Sequence, residues 1–305
     1  MRVIRKSEDE NGRVLVLGTF DGVHIGHRAL LRTAREYASA HGLPLRVYTF
    51  DRHPMEVVAP ASAPKILTTL PEKIQRMSRL RVDEMQLVSF DREMAEMDPA
   101  AFLRMIRESI HVRAVAAGWN FTFGRGARGD AAMLKADGEA NGYDVLIQEP
   151  TAREDGTPVS SSLIREELLA GRVEEADDLL RHPYTIGGTV REGKHAGRRI
   201  GFPTANVAYP VRKILPAYGV YTCLVETEEE TYPGIVNIGV QPTMPSGQVT
   251  VEAHVLDGSP ALYGQKVRLS LLEGMRREMK FDSPEALSRQ IAMDREKALK
   301  LFGMA

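Results

Sequence analysis

Near Tyr184 the periodicity of this 305-residue chain changes, which requires two different architectures in series. From Val14 to Leu180, short apolar runs alternate with amphipathic helical stretches, the pattern of a parallel sheet with helices on both faces. Val14-Leu15-Val16-Leu17 is continuously apolar, as a central strand buried on both sides must be. The helix through Arg28-Ala29-Leu30-Leu31 then places Leu30, Ala34 and Ala38 on one stripe, and Gly42 is suited to end it. Further strands are expected at Leu45 to Phe50, Gln86 to Phe90, Val112 to Ala117 and Asp144 to Ile147, and Pro71 and Asp98-Pro99 mark helix starts. Beyond Tyr184, glycines become frequent and β-branched residues alternate with polar ones. Thr185 to Val190, Gly219 to Glu226, Gly234 to Ile238, Val249 to Leu256 and Lys266 to Leu272 read as strands of a compact antiparallel sheet or barrel. Val267, Leu269 and Leu271 carry the clearest period-two signal, and Glu228 to Glu230 read as a solvated hairpin tip. Ser283-Pro284-Glu285 opens a last helix whose Leu287 and Ile291 are expected to face inward. The junction is expected near Arg181-His182-Pro183, giving domains of residues 1–180 and 181–305.

Composition narrows the function. A chain 43% hydrophobic and 27% charged is neither a disordered tail nor a fibrous protein. Lys+Arg 40 against Asp+Glu 41 leaves a net charge of -1, so no bulk positive field exists to hold nucleic acid or an anionic membrane. Small-molecule partners are expected instead, and the sequence does not fix an oligomeric state. The one cysteine, Cys223, excludes an internal disulfide and a multi-cysteine metal cage. Met1 to Arg13 is charged and lacks the apolar core of a signal peptide, and no run approaches the roughly 20 apolar residues that span a bilayer. The expected location is the cytoplasm.

Directly after the first strand comes Gly18-Thr19-Phe20-Asp21-Gly22-Val23-His24-Ile25-Gly26-His27, and then the helix. Phosphates favour such a junction because a helix N-terminus offers backbone N–H groups and partial positive charge, and glycine permits close approach. His24 and His27, three apart with a glycine between, are spaced to donate hydrogen bonds to one triphosphate and its departing pyrophosphate. Ser160-Ser161-Ser162 precedes a helix carrying Arg165, which reads either as a phosphate clamp or as an ordinary serine cap with a solvent arginine. Asn120 lies in an aromatic-glycine loop, Phe121-Thr122-Phe123-Gly124, whose phenylalanines serve equally well as a nucleotide or flavin wall and as core.

A second constellation runs Gly193-Lys194-His195-Ala196-Gly197-Arg198-Arg199-Ile200-Gly201-Phe202-Pro203-Thr204-Ala205-Asn206. Glycines let main-chain N–H groups surround phosphate, and a threonine hydroxyl with an asparagine carbonyl is an oxygen pair suited to magnesium. On composition alone a glycine-rich hairpin with a Pro-Thr turn is the blander alternative.

Gly18 to His27 resembles the HxGH signature of the nucleotidyltransferase superfamily, in the form found in the bifunctional riboflavin kinase/FAD synthetase family. Thr49-Phe50-Asp51-Arg52-His53-Pro54, Gly118-Trp119-Asn120-Phe121-Thr122-Phe123-Gly124 with Arg128-Gly129, and Ser160 to Arg165 follow in that family's order, with Arg52 where proline is frequent and Ser162 where threonine is. Gly201-Phe202-Pro203-Thr204-Ala205-Asn206 resembles the riboflavin kinase signature. Pro216 to Tyr221, Asn237 to Thr243, Val251-Glu252-Ala253-His254, Leu262-Tyr263-Gly264 and Arg276, Glu278 and Phe281 continue the match, with Gln241 where arginine is common.

The resemblance covers essentially the whole chain and implies a Rossmann-like α/β nucleotidyltransferase domain followed by an all-β six-stranded antiparallel barrel with a C-terminal helix. It implies ATP-dependent phosphorylation of riboflavin to FMN, then adenylylation of FMN by a second ATP to FAD and pyrophosphate, both with Mg2+. It makes Glu252, His24, His27 and Arg165 catalytic. Gly18, Phe20, Asp21, Gly26, Asn120, Ser161, Ser162, Gly193, Lys194, Gly201, Pro203, Asn206 and Asn237 are the expected substrate-binding residues, with Thr204 and Asn206 on the metal. His254 shares the strand parity of Glu252 and has no assigned role. A kinase with a degenerate first domain, a flavin-binding regulator without turnover and a tRNA-charging enzyme are the rivals. The intact His24-Ile25-Gly26-His27, the pairing of Glu252 with Thr204, and the near-zero net charge weigh against them in turn.

Overall fold

The computed structural model describes residues 1–5, 12–192, 203–240, 249–258 and 260–304. The chain divides into two compact units, Met1–Ser161 and Ser162–Ala305.

The first unit is built on β1 (Arg2–Ile4), β2 (Arg13–Leu17), α1 (Ile25–Ala40), β3 (Leu45–Phe50), α2 (Met55–Val58), α3 (Leu70–Ser78), β4 (Glu84–Val88), α4 (Arg92–Glu96), α5 (Pro99–Ser109), β5 (Val112–Gly118), α6 (Ala131–Asn141) and β6 (Asp144–Gln148). The strands form one parallel sheet in the order β1-β4-β3-β2-β5-β6. After β2 the chain builds outward through β3 and β4, then returns to place β5 on the other side of β2. The order of strand addition therefore reverses between β2 and β5, where open α/β sheets hold their ligands, outside the carboxyl ends of the strands. Alternate residues of β2 serve both layers: Val14 and Val16 pack with Leu30, Leu31, Ala34 and Ala38 of α1, and Leu15 and Leu17 pack with Phe102, Leu103 and Ile106 of α5.

Two features of this sheet escape a hydrophobic reading. Arg2–Ile4 is an added parallel edge strand, and β4 begins at the charged Glu84 rather than at Gln86. Both follow from one buried ion cluster. The Glu84 carboxylate accepts from Arg46 Nε at 2.8 Å and Arg13 Nη1 at 2.7 Å, and also from Arg2. Burial alone would raise the Glu84 carboxyl, but the guanidinium groups of Arg46, Arg2 and Arg13 hold it below the usual carboxylate range. Arg46 is fully buried, so removing its charge strands a carboxylate inside the sheet. Arg46→Met is expected to lower stability by about 3–5 kcal/mol in urea unfolding; a loss below about 1 kcal/mol would mean that Arg13 and Arg2 suffice.

The second unit opens with α7 (Ser161–Ala170, Ser161 itself belonging to the first unit) and α8 (Val173–Leu180). It continues through β7 (Thr185–Arg191), β8 (Ala205–Ala208), β9 (Gly219–Glu226), β10 (Thr231–Val240), β11 (Val249–Val255) and β12 (Lys266–Arg277) to α9 (Pro284–Leu301). The six strands close into an antiparallel barrel in the order β10-β11-β8-β7-β12-β9. α7 and α8 pack with it: Ala217 N donates to Leu168 O at 2.9 Å and Gly274 N to Glu174 Oε1 at 3.0 Å. Compactness thus groups these helices with the barrel, whereas the change of sequence texture falls at their far end. β10 starts before the expected Gly234 because Pro233, which has no N–H, sits inside the strand. β12 outruns its expected end through two register shifts, at Leu271/Glu273 and Gly274/Arg276, which break the two-residue period. On α9, Leu287 and Ile291 are half-buried, and Asp294 and Ala298 lie deeper. Asp294 is tolerated there because Arg276 donates to it from Nε at 3.0 Å and from Nη2 at 2.8 Å. Among the described residues no helix is long and apolar enough to cross a membrane.

Candidate active sites

In the first unit, β2 ends at Leu17 and α1 begins at Ile25, and the intervening turn adopts backbone that a sequence cannot announce. Phe20 (φ 53°), Gly22 (φ 86°) and Val23 (φ 50°) are all left-handed, a strained choice for a β-branched valine. Burial of Phe20 and Val23 in the core beside α1 holds them there. So does Asp21, whose carboxylate accepts from Leu67 N at 2.9 Å, Thr68 N at 2.9 Å and Thr68 Oγ1 at 3.1 Å. Gly22 N donates to Thr68 Oγ1 at 3.0 Å, and Ser161 Oγ donates to the Asp21 carbonyl at 2.8 Å. Phe20 and Asp21, expected to contact the nucleotide, are thus buried in the support of the turn, and Ser161 touches it directly.

The rings of His24 and His27 stack with centroids 3.7 Å apart, and Phe20 lies 5.1 Å from His27. Glycine at 26 makes this possible, since a Cβ there would meet the His24 ring at 3.2 Å; at Gly18 it would meet the Phe20 ring at 3.0 Å. Burial, the neighbouring His24 and then Lys73 push the His27 imidazole well below its ordinary range, so it stays neutral at pH 7. A neutral imidazole carries one N–H donor, which is the form that hydrogen-bonds a phosphate oxygen without a charge to desolvate. His27 Nδ1 is buried with no protein partner, as expected of an atom that meets a ligand or ordered water. Unfolded histidine binds more protons below about pH 6.5 than this buried one, so His27 makes the fold weaker as the medium is acidified.

Asn120 follows β5 on the other side of the switch point and is exposed. The even choice over the neighbouring phenylalanines resolves toward core: Phe123 is buried against Phe102 at 5.3 Å between centroids, and Phe121 stacks on Phe123. Ser162 and Arg165 lie further along α7, in the second compact unit. Lys73 is a residue that sequence reading passed over. It is a lysine in an amphipathic helix, and only its burial beside the turn distinguishes it.

In the second unit the barrel register sets three polar residues in one row. Glu252 of β11 pairs with Asn206 of β8 on one side and Asn237 of β10 on the other. Directly opposed residues on antiparallel strands share a face with Cβ atoms about 5 Å apart. Val251 and Ala253 are buried on the opposite parity, so the Asn206-Glu252-Asn237 row lies on the outer face. Thr204 is half-buried two residues before Asn206, and Pro203 is exposed. His254 is buried on the parity of Glu252, and its Nδ1–H donates to the Pro203 carbonyl at 2.8 Å. Burial, partly offset by that bond, lowers its pKa, with Arg295 adding to the shift. The histidine without an assigned role therefore anchors the backbone that leads into Thr204. Glu278, matched but unassigned in the sequence, accepts from Val240 N at 3.0 Å. Gly193, Lys194, Gly201 and Gln241 lie outside the described residues. Among the described residues no cluster of three or more histidine, cysteine, aspartate or glutamate side chains could hold a metal. The hydroxyl and amide donors at 204 and 206 are instead the hard oxygen ligands that Mg2+ takes in small number, so they fit that ion.

A parallel sheet with paired histidines at its switch point, joined in one chain to a closed barrel with an Asn-Glu-Asn row, is the layout expected of a nucleotide-using transferase. Comparison with known proteins makes this particular. Residues 6–163 match the FAD synthetase family model and residues 180–302 the riboflavin kinase model. The bifunctional riboflavin kinase/FMN adenylyltransferase of Escherichia coli is 37% identical over 298 residues, covering 97% of this chain and 94% of the relative. That of Bacillus subtilis is 34% identical over 299 residues, with the same coverage. A crystal structure from Streptococcus pneumoniae, described as a macrolide-efflux protein, superposes with a TM-score of 0.86 at 31% identity, over 96% of this chain and 97% of that one. The chain belongs to the bifunctional riboflavin kinase/FMN adenylyltransferase family. It is a transferase that phosphorylates riboflavin to FMN and adenylylates FMN to FAD.

Proposed function

We propose that the two reactions are carried by separate side-chain sets, the histidine turn for adenylylation and the Asn206-Glu252-Asn237 row for phosphorylation, with functional domains meeting at residue 180. The observation behind this reading is that the two sets fall in different compact units, Met1–Ser161 and Ser162–Ala305.

In the phosphorylation step the riboflavin 5′-hydroxyl is a poor nucleophile, and the Glu252 carboxylate accepts its proton as oxygen attacks the γ-phosphorus of ATP, the bond to the β-phosphate oxygen breaks and ADP leaves. Thr204 and Asn206 are the proposed Mg2+ ligands, and the ion supplies neutralisation of triphosphate charge. Asn237 flanks Glu252 and contacts substrate or orients the carboxylate, and Pro203, with Gly193, Lys194 and Gly201, completes the proposed binding set. In the adenylylation step the nucleophile is the FMN phosphate, already anionic, so no base is needed. Its oxygen attacks the α-phosphorus of ATP, the bond to the β-phosphate breaks, and pyrophosphate leaves with the electron pair. His24 and the neutral His27 donate hydrogen bonds where that charge develops. Gly18 and Gly26 give close backbone approach, Asn120 contacts the nucleotide from the end of β5, and Ser161 steadies the turn. The sequence assignment of Ser162 and Arg165 to phosphate contact belongs to the same proposal. Riboflavin, FMN and ATP are the proposed partners, in the cytoplasm, without nucleic acid or membrane.

Purified protein given riboflavin, ATP and Mg2+ is expected to release FMN and ADP first and FAD and pyrophosphate later, as read by chromatography. Excess chelator is expected to stop both steps, with restoration by Mg2+. FAD forming in chelator at the original rate would remove the metal from the proposal.

A further inference from the structure

Lys73 is buried at the edge of the histidine turn, and neither proposed reaction uses it. The segment leading into its helix is tied to that turn, and the helix start is capped. Asp21 holds the Leu67 and Thr68 amides just before α3, and Thr69 caps the helix with Glu72 Oε2 accepting from Thr69 N at 2.7 Å. One turn into α3, Lys73 reaches back: Nζ donates to Thr19 O at 2.7 Å and Phe50 O at 3.3 Å, carbonyls just past β2 and at the end of β3. It makes no ion pair among the described residues. The nearby carboxylates are engaged elsewhere, Asp21 by the amides just named and Asp51 by Ser89 Oγ at 2.7 Å, Phe90 N at 3.3 Å and Arg52 at 3.5 Å. The charged and titratable groups facing Lys73 are therefore Asp21 from the turn, Asp51 from the end of β3, and His27 of α1 with His24 stacked on it. Burial lowers the ammonium to about 8, against the pull of Asp21 and Asp51 in the other direction.

We propose that Lys73 is a positioning residue for FMN adenylylation: its ammonium pins the carbonyl ends of the two strands that frame the turn and keeps a positive charge beside His27. That charge adds to burial and His24 in keeping the imidazole neutral, and adds long-range attraction for a substrate that brings a triphosphate and a phosphate together. The ammonium is also lost at high pH, when the pin loosens. The inference rests on assigning adenylylation to this turn.

The test uses the full chain, with riboflavin phosphorylation as internal control, and follows FMN-to-FAD turnover against pH in wild type, Lys73→Arg and Lys73→Met. Wild-type kcat is expected to decline above about pH 8. In Lys73→Arg, always protonated, that decline should move up by at least about one pH unit. Lys73→Met should lose at least about tenfold in kcat with little change in KM, and the His27 ring proton should titrate at higher pH by NMR, as it does when a neighbouring positive charge is removed. An alkaline limb identical in wild type and Lys73→Arg overturns the inference, as does a Lys73→Met within threefold of wild type. If Lys73→Met does not fold, the limb in Lys73→Arg decides alone. FAD synthesis that survives His24→Ala removes the site itself; synthesis lost in His24→Ala but kept in Lys73→Met removes only the role of Lys73.

Discussion

His24→Ala is expected to cut conversion of supplied FMN to FAD by about 10²–10³-fold while riboflavin phosphorylation stays within about twofold of wild type. The magnitude is that of removing one preorganised donor from a site where charge develops. The selectivity follows from the placement of the residue. His24 stacks on His27 at 3.7 Å inside Met1–Ser161, whereas the Asn206-Glu252-Asn237 row belongs to the other unit. Removing the ring should also relieve His27. Burial is the larger cause of its lowered pKa and His24 the next, so His27 should titrate at higher pH in the variant and still below an exposed histidine. The measurements are steady-state FAD formation and the NMR titration of His27. A variant that retains more than about a third of wild-type FAD synthesis would dismiss the imidazole pair as the adenylylating centre.

Glu252→Gln should produce the mirror image. Riboflavin phosphorylation is expected to fall by about 10²–10⁴-fold, the usual worth of a general base, with FMN-to-FAD conversion unchanged. Glutamine keeps the size and hydrogen-bonding reach of glutamate on the outer face of β11, between Asn206 and Asn237, so the barrel should keep its stability. The loss should appear in kcat more than in the KM for riboflavin, because the proton moves only as the oxygen attacks. If His24→Ala and Glu252→Gln each abolished both reactions in folded protein, the separation of the two sites would fail. Equal loss of kcat and binding in Glu252→Gln would instead make the glutamate a substrate ligand.

The sequence carried the fold class because burial writes its period into the chain. β3 and β9 occupy the expected spans, Leu45–Phe50 and Gly219–Glu226, since both are largely apolar or β-branched from end to end. The pattern misleads wherever a polar or irregular residue sits in a strand for a reason supplied from elsewhere. Glu84 looks like a loop residue until Arg2, Arg13 and Arg46 from three other strands surround it. Pro233 looks like a breaker until its place in β10 is seen, and β12 seems to end at Leu272 because a shifted register interrupts its alternation.

The same division holds for the sites. Gly18 to His27, Pro203 to Asn206, and Glu252 offer the donor types that phosphate, metal and proton each demand at short range. Tertiary structure alone decided which side chains support those segments. Phe20 and Asp21 hold a left-handed turn in place, His254 anchors the Pro203 carbonyl, and a lysine indistinguishable in sequence from any helix surface residue lies buried beside His27. The reason is physical: local sequence determines which groups a segment offers, whereas burial, register and neighbouring charge depend on segments tens of residues away.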